Sequence, residues 1–314
     1  MNRRPPLIAL FPEASFGAAL NCVGIARALQ AEGAEPVFIC HPGFTGVFSE
    51  YGFREYHLQP DAATGRSEDY WQGFINTHLH HFDLDPLAQL SAYVAPTWEA
   101  IIDTVIAVED PLEALLAQIQ PDVVLLDNVI MFPAILRSGL PWVRIVSCAE
   151  TEIPDPAVPP ALSGLAADDM AGRAIWEREW ALRLRPAHAR YNAFRRARGL
   201  RPLPAVQFLE NSPLLNLLLA PSAVRHPRAE PLPEERFVFL EGCVRAEGRF
   251  DPPVLPRNEG PLVYMSFGSL GAVDTVQIGR MLEVFRDMPA RFFVNVGGFL
   301  DAYRQVPDNV CLGS

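Results

Sequence analysis

Apolar residues along the chain come in short, nearly unbroken blocks: "LIALF" at 7–11, "EPVFIC" at 35–40, "DVVLLD" at 122–127 and "WVRIVS" at 142–147. Strands that are apolar on both faces and separated by helical stretches predict a parallel sheet covered on both sides. Between the first two blocks, Ala19, Val23, Ala26 and Ala28 or Leu29 recur at helical spacing, and Gly33 stands where a left-handed residue would end that helix. This is a strand–helix–strand opening. Further on, the pattern predicts a helix over 111–119 stopped by Pro121, a strand ending at Asp127, a helix over 130–138 closing at Gly139, and another parallel strand. Asp127 is thereby placed at the carboxyl end of a strand, the edge where open α/β sheets hold ligands. The same carboxylate would also suit the plainer role of capping the next helix.

Other segments break the rhythm. Residues 61–110 read as irregular and then helical, and include His78, His80 and His81 beside Asp83 and Asp85. Their spacing is not that of HExxH, and no distant Cys or His pair completes a metal set, so a polar surface or a pocket wall is expected and no metal. The proline-rich stretch 151–170 reads as an excursion from the sheet. Residues 175–204 predict an amphipathic helix interrupted near Pro186, with eight arginines on one basic face that is either solvated or in contact with an anion. Residues 246–260 read as a linker. The strand–helix rhythm then restarts with "PLVYMSF" at 261–267, the loop "GSLGAVD", a helix near 274–286 and "ARFFVNVGG" at 290–298. The expected division is 1–245, a linker 246–260, and the beginning of a second α/β domain over 261–314, too short for a doubly wound domain of usual size.

A formal net charge of -11 argues against nonspecific binding to nucleic acid or to anionic membranes. No apolar run reaches the roughly 18 residues of a spanning helix. The five cysteines are widely spaced and form no CxxC pair, which suggests neither a disulfide scaffold nor a zinc cluster and points to a reducing, cytoplasmic setting.

Two loops carry candidate chemistry. The "FGSLG" loop at 267–271 follows a buried strand and precedes a helix, so its amides and the helix N-terminus suit a diphosphate, with Gly268 and the Ser269 hydroxyl as contacts. A tight turn with no ligand fits the same residues. Gly297 and Gly298 after the next strand permit close backbone approach. The loop after 7–11 contains Glu13, Phe16 and Gly17.

Four stretches in matching order, "GAALNCVGIARALQAEGAEPVFI" at 17–39, "PGFTGVFSEYGFREYHL" at 42–58, "PDVVLLDNVIMFPAILRSGLPWVRIV" at 121–146 and "GPLVYMSFGSLGAVD" at 260–274, resemble a GT-B glycosyltransferase of the UDP-glucuronosyl and antibiotic-macrolide type. The last stretch is the most specific. The resemblance implies an N-terminal Rossmann-like acceptor domain and the beginning of a Rossmann-like donor domain. It also implies transfer of a sugar, with inversion and no required metal, from a UDP- or dTDP-linked donor to a small-molecule acceptor in natural product biosynthesis. No separate cofactor is expected; the partners are the acceptor and the sugar nucleotide, with a homodimer as a further expectation.

The family's acceptor-activating histidine would fall at Ala18, after Gly17, so that base is missing. Asp127 resembles the position that orients the histidine, and either Asp127 or Glu13 is the expected substitute, Asp127 being favoured for its place at a strand end. An acceptor pocket is expected from Phe16, Gly17, Ala18, Trp71, Phe74, His78 and Phe132. The family's donor signature would lie beyond Ser314, so three accounts stand: a fragment of a longer transferase, an inactive binding or auxiliary relative, or another nucleotide-sugar enzyme of the same architecture.

Overall fold

The structure, a computed structural model, describes residues 4–59, 73–74, 77–241, 245–251, 254–268, 272 and 274–313. It divides into two compact units, Met1–Ala246 and Glu247–Ser314.

The first unit is built on seven parallel strands in the order β3-β2-β1-β4-β5-β6-β7: β1 (Leu7–Pro12), β2 (Glu35–Cys40), β3 (Arg54–His57), β4 (Val123–Asp127), β5 (Trp142–Val146), β6 (Leu215–Leu218) and β7 (Phe237–Phe239). Because side chains alternate across a strand, the apolar blocks divide between two cores. Ala9, Phe11, Val37, Ile39, Val124 and Leu126 face one, whereas Ile8, Leu10, Phe38, Cys40 and Leu125 face the other. Helix α1 (Phe16–Ala31) covers the second core with Ala19, Cys22, Val23 and Ala26. Gly33 follows it at φ +87°, and the amides of Gly33 and Ala34 close the helix on the carbonyls of Gln30 and Leu29.

The first core is covered by α2 (Ala95–Ile119), the short α3 (Pro133–Arg137) and α4 (Met170–Ala197). Two expectations are corrected here. Helix α2 begins at Ala95 and contains Pro111 within its length, so the segment 111–119 is only its last part. Helix α3 starts late, at Pro133, because the Asn128 side chain accepts from the amides of Val129 and Ile130 and holds them in a loop.

Helix α4 also departs from its pattern. It runs unbroken through Pro186, and its arginines do not form one basic face. Arg190 bonds Glu99 at 2.9 Å and pairs with Asp103, Arg198 pairs with Asp110 at 2.6 Å, and the buried Arg195 pairs with Glu210. Three of these acids belong to α2, so the charges lace two helices together.

In the second unit, β8 (Leu262–Ser266), β9 (Arg291–Asn295) and β10 (Val310–Gly313) form a parallel sheet in the order β10-β9-β8. Helix α5 (Thr275–Phe285) packs Ile278, Leu282 and Phe285 against Phe292, Val294 and Val310.

Candidate functional site

Strand order in the first unit reverses between β1 and β4, since the chain leaves β1 toward β2 on one side and later returns to β4 on the other. Crossovers that diverge in this way open a crevice at the carboxyl ends of the two strands. Pro12 and Asp127 are paired there as register partners, so Glu13 emerges beside the end of β4 although it lies far from Asp127 in sequence. Strand β5 adds Ser147 and, through the short turn Glu150–Glu152, the carboxylate of Glu152.

Asp127 is 3% exposed. Its Oδ1 accepts from Ser147 Oγ at 2.8 Å, and its Oδ2 faces the Cys22 thiol at 3.6 Å. Burial disfavours the charged carboxylate and Glu13 and Glu152 repel it, while the Ser147 and Cys22 contacts act the other way; the result is a pKa pushed up to about 8. Glu13 is half-buried at the mouth of the crevice, with the Ser15 hydroxyl 3.5 Å away. Its pKa is raised by desolvation first and by Glu152 second. Glu152 is also raised, chiefly by burial, although the buried Arg144 guanidinium bonds it at 3.1 Å and opposes the shift. Arg144 is held from its other side by Asn211 at 2.7 Å. Three carboxylates therefore share the crevice with one guanidinium, a setting that raises the pKa of each, that of Asp127 to about 8. The rim thiol of Cys148 is pushed up to about 12 by partial desolvation and then by Glu13, Glu152 and Asp127.

The aromatic candidates fall into separate places. The rings of Phe74 and His78 meet at 4.4 Å, tilted by 33°, and His78 lies 5.8 Å from Tyr93, whose phenol pKa is raised by burial and also by Glu13. This group thus flanks the carboxylates. His78 Nδ1 lies 2.9 Å from His81 Nδ1 and 3.1 Å from the Ala92 carbonyl, so two of the three histidines are engaged with each other. Phe16 is 56% exposed at the start of α1 and leans on Phe44 at 5.0 Å. Gly17, next to it, has open space around its α-carbon. Phe132 is placed otherwise than expected: it is buried in the core, edge-on to Phe11 at 4.8 Å, because the loop before α3 turns inward. Trp71 lies outside the described residues, as does the side chain of Ala18.

Several neighbours escaped the sequence reading. His41 directly follows β2, half-buried and 5.7 Å from Phe11, and desolvation lowers its pKa to about 4, so it is a neutral imidazole. His41 and Ser147 directly follow strand ends, and applying to every strand the rule that singled out Asp127 would have found them. Glu152 lies further on, in the turn Glu150–Glu152, and carries no such signal. Cys22 and Tyr93 sit on helices and carry no such signal.

In the second unit, Gly268 follows β8 at φ +65° and Gly297 follows β9 at φ +54°, each in the left-handed region that favours glycine. The Gly297 amide donates to Asn295 Oδ1 at 2.9 Å. Asp274 caps α5, accepting from the Gln277 amide at 2.8 Å. Its carboxylate occupies the helix N-terminus expected to face a diphosphate, which leaves the glycine loop as the remaining candidate. Ser269 lies outside the described residues. Among the described residues no helix is long and apolar enough to cross a membrane.

No protein-family model and no curated protein matches the chain. Solved structures do. The glycotransferase of kitacinnamycin is 20% identical with a TM-score of 0.63, the match covering 98% of this chain and 70% of that one. CalG4, the calicheamicin glycosyltransferase, is 20% identical with a TM-score of 0.60, over 100% of this chain and 71% of the other. SsfS6 from Streptomyces sp. SF2575, complexed with thymidine diphosphate, is 15% identical with a TM-score of 0.55, over 98% and 71%. At such identities the likeness establishes the fold, which is the GT-B type with two Rossmann-like parallel sheets.

Proposed function

We propose that the protein is a glycosyltransferase that moves a sugar, with inversion, from a nucleoside diphosphate donor to a hydroxyl or amine of a small-molecule acceptor of natural-product type. The observation that carries the reading is the set of carboxylates with raised pKa at the β1/β4 crevice of a fold shared with natural-product glycosyltransferases. Of the two expected donor nucleotides, UDP and dTDP, a structure of that fold in complex with thymidine diphosphate favours dTDP. Gly268 and Ser269 of the glycine loop, with Gly297 after β9, are the diphosphate contacts of the second unit. Phe16, Gly17, Phe74 and His78 line the acceptor side.

Glu13 is the general base in this reading. Both oxygens of Asp127 already have partners and the side chain is buried, whereas Glu13 is half-buried at the crevice mouth. A carboxylate with a raised pKa is a stronger base, and the pKa of Glu13 is raised by its surroundings. Glu13 takes the acceptor proton as the acceptor oxygen bonds to the anomeric carbon and the bond to the departing nucleoside diphosphate breaks. Asp127, protonated at neutral pH, keeps its charge from adding to those of Glu13 and Glu152.

The test is a mass-spectrometric transfer screen with dTDP- and UDP-sugars against flat aromatic and macrolide aglycones. Transfer is expected, with Glu13→Gln reducing kcat by about 10²–10⁴-fold and Asp127→Asn by far less. A larger loss in Asp127→Asn would return the base to Asp127. One observation favours a second reading: Ala18 stands where the resembling family carries its histidine, as in a relative that binds acceptor without turnover. Saturable acceptor binding with no transfer from any donor would establish that reading and refute the catalytic one.

A further inference from the structure

We infer that the ends of β2 and β3 form a binding site for a thiophilic divalent cation such as Zn²⁺, with Cys40 and His57 as its protein ligands. These two residues are register partners across the parallel pair. One donor atom each of Cys40, Glu55 and His57 lies within 4.8 Å of both of the others. Cys40 Sγ lies 3.6 Å from His57 Nδ1. A tetrahedral zinc with Zn–S of about 2.3 Å and Zn–N of about 2.0–2.1 Å separates its sulfur and nitrogen ligands by about 3.6 Å, so the pair already stands at ligand spacing.

The surroundings select the form of the imidazole that binds metal. His57 Nε2 lies 3.2 Å from Glu55 Oε2. Glu55 is itself fixed by the amides of Gly46, Phe48 and Ser49 at 2.9, 2.7 and 2.8 Å. Facing that carboxylate, Nε2 carries the ring proton and leaves the Nδ1 lone pair toward Cys40, the carboxylate–histidine arrangement that orients metal-ligating imidazoles.

Thr45 Oγ1 lies 3.3 Å from the same Nδ1 on the exposed side, where it and water are at hand for the remaining positions. The Cys40 thiol donates to the Tyr56 carbonyl at 3.7 Å. Binding replaces that proton: the thiol releases H⁺ to solvent and the thiolate takes the cation, with no change of oxidation state. An ion there would fasten the β2 and β3 ends to the loop 42–52. The assignment does not depend on the proposed transferase activity.

The experiment titrates the reduced full chain with Co²⁺ alone and reads the near-ultraviolet thiolate-to-cobalt charge-transfer band. A saturable band is expected in the wild type, lost in Cys40→Ser and weakened at least tenfold in affinity in His57→Gln. Glu55→Gln keeps the band but binds about 10–100-fold more weakly. Should Cys40→Ser fail to fold, His57→Gln decides, since that side chain is 32% exposed and dispensable to the core. Absence of the band at saturating Co²⁺, or a band unchanged in the variants that fold, would overturn the assignment and in the second case point to another thiol such as Cys148.

Discussion

Asp127→Asn offers the sharpest check on the electrostatics of the crevice. The folded chain holds the Asp127 proton with a pKa of about 8 against an ordinary 3.8. Because the folded state binds that proton more tightly than the unfolded state, the stability linked to it is whole below about pH 4 and drains away as pH rises through about 8. Each pH unit in that window is worth about 1.36 kcal/mol. Between about pH 5 and pH 8 the ceiling is therefore about 4 kcal/mol, and relaxation with water entry, as in other buried sites, reduces it to about 2. Against a total stability of about 5–15 kcal/mol this is readily measured. Asparagine fills the same space, still accepts from Ser147, and does not titrate. Glu13 and Glu152, whose raised pKa values act in the same direction, remain in both proteins and largely cancel in the comparison. Urea denaturation is followed by tryptophan fluorescence, which reports the first unit because all five tryptophans lie between Trp71 and Trp180. The variant should gain about 2 kcal/mol on the wild type between pH 5 and pH 8. Curves that stay parallel across that range would mean that Asp127 is ionised in the fold, and the account of the crevice would fail.

Other perturbations test neighbouring claims. Ser147→Ala removes the 2.8 Å donor to Asp127 and should cost about 1–2 kcal/mol in urea denaturation, with the pH-dependent loss shifted to higher pH. Arg228, 8% exposed, bonds Glu150 at 3.2 Å and the carbonyls of Ile153 and Pro154, with Asp155 at 3.8 Å. Arg228→Met leaves two buried carboxylates without their cation and should cost about 3–5 kcal/mol; a loss below 1 would show that the pair is already solvated. In the second unit Gly260 stands at φ +82°, and an added Cβ would meet the Pro289 carbonyl oxygen at 2.3 Å. Gly260→Ala should therefore open β8 and β9 to amide hydrogen exchange, while unchanged protection of the Arg291 amide, which donates to Pro261, would refute the clash.

Local pattern alone determined a good part of this protein. The apolar blocks specified doubly covered parallel strands, the helical spacing of Ala19, Val23 and Ala26 specified the buried face of α1, and Gly33 specified its end. Asp127 was legible as a strand-end carboxylate because its position follows from its own segment. What local pattern cannot carry is the order of strands. That order puts β1 beside β4, brings Glu13 to Asp127, and delivers Ser147 and Glu152 from β5 to the same crevice. For the same reason the arginines of α4 read as one basic face until α2 supplied acids for two of them, Phe132 read as pocket until its loop turned into the core, and nothing local joined Cys40 to His57, which meet because β2 and β3 pair. Period and capping are set by neighbours along the chain, whereas register, desolvation and the meeting of charges are set by segments that become neighbours only when both faces of the sheet are covered.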